Sequence, residues 1–143
     1  MAKKPKQVPG SAAARADVKQ PRIAAAAVST YPSWRFCKVD HGGPFAWPKN
    51  RVEELEIVQK LHSFDSMEWR AIEGSDHHAI EVARLSRPAT KRLEEIGQDD
   101  LDEVFSFHFT GKKRIIGIRE SGTVRLLWWD PEHAVCPSKL KNT

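Results

Sequence analysis

Histidine and cysteine are the side chains of this sequence that could hold a metal ion. Six histidines and two cysteines are present. Cys136 follows His133 by three residues, and Cys37 and His41 have an i, i+4 spacing. A zinc site, however, pairs two such units at a regular span, and here the spans are irregular. We therefore predict structural or surface histidines, and neither a metal ion nor another cofactor.

The short motifs of nucleophilic and phosphate-binding enzymes are missing from the sequence. It contains no G-x-S-x-G elbow and no glycine-rich phosphate loop. Paired carboxylates occur at Glu94 and Glu95 and again at Asp99 and Asp100, where they are typical of solvated charge at a helix end. These observations predict a protein that is not an enzyme.

Basic residues near the C-terminal end offer an alternative. Arg114, Arg119 and Arg125 lie in predicted strands, and His133 follows them. Positive charge of this kind stabilises a phosphorane transition state when it is aimed at the phosphate. Helices followed by an antiparallel meander are also the element order of RelE-like ribonuclease toxins, which this chain loosely resembles. Charged groups on one sheet face are more often ordinary solvent-facing residues, so the alternative requires them to converge on one concave, positive surface.

A docking motif for another protein is the second candidate site. The segment from Gln59 to Phe64, with the sequence QKLHSF, resembles the motif by which bacterial replication proteins bind the β sliding clamp. Gln59 would hydrogen-bond backbone at the rim of the clamp pocket, and Leu61 and Phe64 would fill it, which is typical of a small hot spot. The alternative is that Leu61 only continues the buried stripe of a helix.

The apolar pattern of the first half predicts a strand followed by a helix. Residues 34–39 alternate apolar and polar side chains, as a half-buried strand does. Asn50, with Glu53 three residues later, predicts a capped helix over about 51–62. Its predicted buried stripe consists of Val52, Leu55, Val58 and Leu61, with Ile57 beside it.

Two short helices and a meander are predicted to follow. The spacing of Asp65 and Glu68 predicts a helix that stops at Gly74, and Ser86 predicts another that ends at Gly97. A short strand or extended link lies between them, near residue 80. An alternating run over 105–110, an isoleucine-rich run over 114–119 and a third apolar run over 124–129 predict three antiparallel strands. The third is predicted to lie centrally in the sheet or under a helix, because it is apolar on both faces. The fold class is therefore α+β, with an N-terminal strand, two or three short helices and a C-terminal antiparallel β-meander.

The positive net charge of +4 lies outside this domain. Residues 1–30 carry +5, and residues 139–143 add two lysines, whereas residues 31–138 carry −3. We predict a disordered basic tail over 1–30, a single domain over 31–138 and a short basic tail over 139–143. An acidic domain lacks the usual footprint of a nucleic-acid-binding protein, so no direct nucleic-acid binding is expected. The two cysteines and the lack of a long apolar run indicate a cytoplasmic protein without membrane contact.

Several aromatic-rich segments together resemble a family of small bacterial proteins, most of which have no assigned function. The matching segments are WRF at 34–36, GPFAW at 43–47, KLHSFDSMEW at 60–69, RLEEIG at 92–97, GIR at 117–119 and LWWDPEH at 127–133. The resemblance covers about residues 33–137, and its tryptophan-rich end is the most specific part. Within this family the chain is most similar to the SocB group of replication-inhibiting toxins.

The resemblance implies a toxin of a toxin–antitoxin system that acts without catalysis. Such a protein would occupy the β sliding clamp through Gln59, Leu61 and Phe64 and block elongation in DNA replication. An antitoxin would act as an adaptor that delivers the toxin to the ClpXP protease. Clamp peptides bind in an extended form, so Gln59, in the last predicted helical turn, would have to lie at a fraying end. Phe64 is predicted to lie just past the helix.

Overall fold

The structure, a computed structural model, describes residues 30–137, so the predicted basic tails lie outside the described residues, apart from Thr30. The helices and strands confirm the predicted α+β class. In chain order they are β1 (Ser33–Arg35), α1 (Arg51–Asp65), α2 (Trp69–Ile72), β2 (His77–Glu81), α3 (Arg87–Glu95), β3 (Glu103–His108), β4 (Arg114–Glu120) and β5 (Thr123–Asp130), with a 3-10 turn at Val82–Arg84.

One five-stranded sheet, in the order β1-β5-β4-β3-β2, organises the domain. Strands β3, β4 and β5 form the predicted antiparallel meander, β2 adds an antiparallel edge, and β1 pairs in parallel with β5. The predicted strand over 34–39 is too long, because β1 ends at Arg35. The chain turns there, and the N–H of Val39 donates to the carbonyl of Phe36 at 3.3 Å.

Helices cover both faces of the sheet and produce two apolar cores. On one face α1 and α2 pack over Phe105, Phe107 and Trp129. On the other, α3 contributes Ala89 and Leu93 to a core that also contains side chains of β2 to β5. The sheet is therefore a buried central layer, and most of its side chains serve packing.

A β-bulge in β5 explains how four consecutive apolar residues are buried on two faces. Ile116 pairs with Trp128, whereas Gly117 pairs with residue 126, so Leu127 is the extra residue. Leu127 and Trp128 consequently share the α3 core although they are neighbours in sequence. The prediction that residues 126–129 are central in the sheet is confirmed.

Helix α1 begins as predicted but is longer. The side-chain oxygen of Asn50 accepts the N–H of Glu53 at 2.9 Å, and the Asn50 amide donates back to the Glu53 carboxylate at 2.8 Å. The helix continues to Asp65, so the prediction that Phe64 lies past its end is wrong. Asp65 belongs to α1 and does not cap α2, whose N-cap residue is Glu68.

The buried stripe of α1 differs from the predicted one. Ile57, Leu61 and Phe64 face the sheet, whereas Val52 is 71% exposed and Leu55 is 57% exposed. A helix has 3.6 residues per turn, so a pattern that repeats every three residues drifts around the helix by about 60° per step. Only the end of that pattern meets the sheet.

Helix α3 follows Ser86 and ends before Gly97, as predicted, and it carries Pro88 in its first turn. Gly97 has a φ of +73°, a left-handed conformation that glycine adopts without steric penalty. The Ser86 side chain, however, makes no cap hydrogen bond.

A buried carboxylate ties the β1–α1 loop to both α3 and the sheet. Asp40 accepts two hydrogen bonds from Arg92, at 2.8 and 2.9 Å, and one from the indole of Trp128 at 2.8 Å. Burial by itself raises the pKa of Asp40, but the hydrogen bonds from Arg92 and Trp128 outweigh it, so the pKa is lowered. Gly43, with a φ of +76°, lies so close to Arg92 that any side chain there would collide with the guanidinium. This network fixes the loop that leads into α1.

No helix within residues 30–137 is long and apolar enough to cross a membrane.

Candidate functional site

The candidate site lies on the α3 face of the sheet, where that face changes from apolar to polar. Paired strands place His78 beside Ser106 and His108 beside Arg114. Residues two apart on a strand point to the same face, so Ser106 and His108 share it. Further along the strands the same face is apolar and belongs to the α3 core. The polar side chains of this end are therefore not part of the α3 core.

A cleft of about 560 Å³ opens over this polar end. Its size suits a ligand of nucleotide dimensions. We call it the histidine–arginine cleft. Its histidine, arginine and aspartate lining consists of His78, His108, His133, Arg84, Arg114 and Asp76.

Arg114 is held in place by backbone carbonyls at the β3–β4 turn. Its Nη1 donates to the carbonyl of Gly111 at 2.7 Å and to that of Lys113 at 3.0 Å. Burial lowers the pKa of Arg114, and the charges of Asp130 and Asp76 oppose this, but a guanidinium stays protonated at any physiological pH. Both contacts use one nitrogen of a group with five N–H donors, so the others can serve a bound anion.

His133 reaches the cleft from the turn that follows β5. Asp130 is 1% exposed and accepts the backbone N–H groups of Ala134 at 2.9 Å and Val135 at 2.8 Å. Within this capped turn His133 has a φ of +56°, which is uncommon for a residue with a side chain. The buried carboxylate holds the turn in this conformation, so the position of the imidazole is built into the fold.

The surroundings of His133 favour its neutral form. Burial lowers the pKa of His133 below its ordinary value of 6.5, the positive charge of Arg114 lowers it further, and the charge of Asp130 acts in the opposite direction. A neutral imidazole at pH 7 can accept a proton from a substrate hydroxyl.

Two further imidazoles face the same space. Nδ1 of His78 lies 3.2 Å from the carbonyl oxygen of Ala79, and Nε2 of His108 lies 3.2 Å from that of Gly111. A carbonyl accepts only, so these ring nitrogens carry protons. The second nitrogen of each ring is then the one that can exchange a proton with a ligand.

The predicted basic residues are only partly brought together. Arg114 and His133 line one cleft, which is the convergence that the ribonuclease alternative requires. Arg119 lies five residues from Arg114 on the same strand and so points to the opposite face; it stacks 3.8 Å from the centre of a Trp69 ring and pairs with Glu73. Arg125 pairs with Glu120 at 2.8 Å. Neither belongs to the cleft.

The predicted docking residues do not form one surface. Gln59 is exposed, whereas Leu61 is 3% exposed and Phe64 is 2% exposed. The Phe64 ring lies 5.3 Å from that of Phe107 and 4.8 Å from that of His77, measured between centroids. Leu61 and Phe64 are core residues of the folded chain, which favours the alternative that Leu61 continues the helix stripe.

His77 lies on the other face of the sheet from its neighbour His78 and gives a pH-dependent stability. Its Nδ1 accepts the backbone N–H of His108 at 3.0 Å, which requires that nitrogen to be unprotonated. Burial lowers the pKa of His77, and the charge of Lys60 lowers it further. The unfolded chain then binds more protons than the folded one as the pH falls below about 6.5. The contribution of His77 to stability is complete above that pH and is lost on acidification.

We expect wild type to lose more free energy of unfolding between pH 7.5 and pH 5 than the variant His77→Gln. Urea unfolding at a series of pH values measures this difference, and the comparison cancels the other titrating groups. Parallel pH profiles for the two proteins would contradict the role given to His77.

Most of the cleft lies outside the predicted site. His78, Ser106, His108 and Arg84 were not assigned to it. One signal was available, since Ser106 and His108 alternate with phenylalanines and must face the opposite side of the strand. Their meeting with His78 depends on the register between β2 and β3, which no local pattern encodes.

Within residues 30–137, no three histidine, cysteine, aspartate or glutamate side chains are grouped so that they could hold a metal ion. Comparisons with known proteins give no match to a family model, a curated protein or a solved structure. The family resemblance inferred from the tryptophan-rich segments therefore stays a prediction.

Proposed function

We propose that this chain is a ribonuclease of the toxin type, and that the histidine–arginine cleft binds and cleaves the RNA backbone. The observation that carries the proposal is the convergence of Arg114 with His133, His78 and His108 in one cleft. Proton-transferring imidazoles beside a fixed cation are what phosphodiester cleavage requires. The proposal departs from the sequence-based expectation of a non-enzyme without nucleic-acid contact.

The charge of the cleft supports this proposal despite the acidic domain around it. Two arginines line it against one aspartate, so the fixed charges of the lining sum to +1, and its three histidines add positive charge only when they bind a second proton. A net charge of −3 over residues 31–138 is an average, whereas a phosphate responds mainly to charges within about a Debye length, roughly 8–10 Å. The cleft is thus a local positive site on a negative domain.

The reaction that fits these groups uses the ribose 2′-hydroxyl as the nucleophile. Neutral His133 accepts the hydroxyl proton, the 2′-oxygen forms a bond to phosphorus, and the bond from phosphorus to the 5′-oxygen breaks. His108, which is paired with Arg114 across the two neighbouring strands, gives a proton in its protonated form to the leaving oxygen, and Arg114 stabilises the negative charge of the phosphorane. The products are a 2′,3′-cyclic phosphate and a 5′-hydroxyl, and no co-reactant is consumed.

The test is incubation of the purified full chain with end-labelled RNA and with DNA of the same sequence. We expect cleavage of RNA with cyclic-phosphate ends and intact DNA. If the RNA stays intact, the proposed function is wrong.

Binding to the sliding clamp, control by an antitoxin and delivery to ClpXP are what the family resemblance implies. For a folded chain to dock through Leu61 and Phe64, both must leave the core. Exposing each of these side chains costs about 1.5–3 kcal/mol. We therefore expect the full chain to bind the clamp about 10²–10⁴-fold more weakly than a free peptide of residues 57–66.

Calorimetric titration of the clamp with the full chain, its variant Gln59→Ala and this peptide separates the possibilities. Full-chain binding as tight as that of the peptide, and lost in Gln59→Ala, would show that α1 unwinds readily and that the docking prediction is right. Absence of binding even by the peptide would eliminate Gln59, Leu61 and Phe64 as a docking set.

A further inference from the structure

Asp76 is an unexpected side chain in a cleft that suits an anion. It is the one carboxylate among the residues that line the histidine–arginine cleft, and it is exposed. Burial dominates the pKa shift of Arg114, but Asp76 is close enough for its charge to act on that guanidinium. A carboxylate here repels a phosphate unless it meets hydrogen-bond donors of the same ligand.

Asp76 and His133 lie on opposite walls of the cleft. Asp76 immediately precedes β2, the edge strand, while His133 lies in the turn after β5 on the far side. Three strand spacings of about 4.8 Å separate β2 from β5, or roughly 14 Å. Arg114 on β4 lies between the two walls. When a phosphate binds at Arg114 and His133, the nucleoside attached to it can therefore extend to the β2 wall.

Among the RNA bases, guanine matches a carboxylate best. Asp76 can only accept hydrogen bonds, and it has two oxygens. Guanine presents two adjacent N–H donors on its Watson–Crick edge, so a carboxylate can bind it in a bidentate way. Adenine, cytosine and uracil each place an acceptor beside a single donor on that edge, and the acceptor would face a carboxylate oxygen.

We infer that the β2 wall of the cleft is a guanine subsite with Asp76 as its acceptor, and that the substrate is single-stranded RNA cleaved beside guanine. The inference rests on the proposed function of the cleft. Single-stranded RNA is required because the Watson–Crick edge of guanine is occupied in a duplex.

The experiment compares oligouridine substrates that contain one guanosine, one inosine or no purine, with wild type and Asp76→Asn. A bidentate contact to a base contributes about 1–3 kcal/mol of discrimination, or roughly 5–150-fold. We expect wild type to prefer the guanosine substrate by such a factor and to lose part of it with inosine, which lacks one donor. Asp76→Asn should lose most of this preference, because an amide presents one acceptor and one donor where the carboxylate presents two acceptors.

Asp102→Asn is the matched control, since Asp102 is a carboxylate that does not line the cleft; it should keep the guanosine preference. If Asp76→Asn keeps the preference for the guanosine substrate, or if wild type shows no such preference, the guanine subsite is wrong. The proposed ribonuclease function is unaffected by either result. Cleavage of no substrate by wild type is instead the failure of the proposed function. In that case, titration of the protein with guanosine 3′-monophosphate and with adenosine 3′-monophosphate tests the guanine subsite. Equal affinities for the two nucleotides would overturn the inference.

Discussion

Replacing Arg114 with alanine is expected to lower kcat/KM for RNA cleavage by about 10²–10³-fold. Arg114 is the cation that is fixed beside His133 in the cleft. Removing one preorganised group that stabilises transition-state charge has an effect of this size in other enzymes. Initial rates on a labelled oligoribonucleotide, with the full chain and its variants, give the value.

Two variants separate this effect from a general loss of structure. Arg125→Ala removes an arginine from the same sheet, where it pairs with Glu120 outside the cleft, and should cleave RNA at close to the wild-type rate. Arg114→Lys keeps the charge but loses the planar fork, so it should recover only part of the activity. Equal losses in Arg114→Ala and Arg125→Ala would mean that Arg114 has no special role.

The variant Asp40→Ala is expected to have the largest effect on stability, a loss of about 3 kcal/mol in the free energy of unfolding. It leaves three groups without their acceptor: the guanidinium of Arg92, the indole N–H of Trp128 and the backbone N–H of Gly42. Breaking a buried charge pair by deleting one partner costs about 3–5 kcal/mol. We take the lower end because the Arg92 side chain is 21% exposed. Urea unfolding of the two proteins at pH 7 measures the difference.

Glu95→Ala is the matched control for Asp40→Ala. Glu95 also pairs with Arg92, at 3.1 Å, but its side chain is 48% exposed. An exposed pair contributes about 0–1 kcal/mol, so this variant should unfold almost like wild type. Similar losses in both variants would show that the buried geometry of Asp40 gives no advantage over a surface contact.

The sequence was most informative where local rules determine the structure. Alternation identified the first strand of the meander, and apolar runs between turn residues identified the other two. The reciprocal bonds of Asn50 and Glu53 begin α1 where the capping pattern placed them. The sequence was less informative about which side of a helix is buried against the sheet. Val52 and Leu55 have the spacing of a core stripe, yet they are exposed because the sheet meets another side of the helix.

The candidate site was harder to predict than the fold because its members come from separate parts of the chain. Arg114 and His133 belong to the predicted basic set, but Arg119 and Arg125 were grouped with them by residue type alone. Strand parity distinguishes Arg114 from Arg119 once the strand is known. The approach of β2, with His78 and Asp76, requires long-range pairing with β3, and the turn that presents His133 depends on the buried carboxylate of Asp130.

The most direct test of the ribonuclease function uses a DNA oligonucleotide that carries a single ribonucleotide with guanine as its base. The purified full chain should cut this molecule only on the 3′ side of the ribonucleotide and leave a cyclic phosphate, because that sugar alone provides the attacking hydroxyl. Arg114→Ala should cut it about 10²–10³-fold more slowly. An uncut oligonucleotide, or cutting at the deoxyribonucleotides by wild type and Arg114→Ala alike, would contradict the assignment of RNA cleavage to the histidine–arginine cleft.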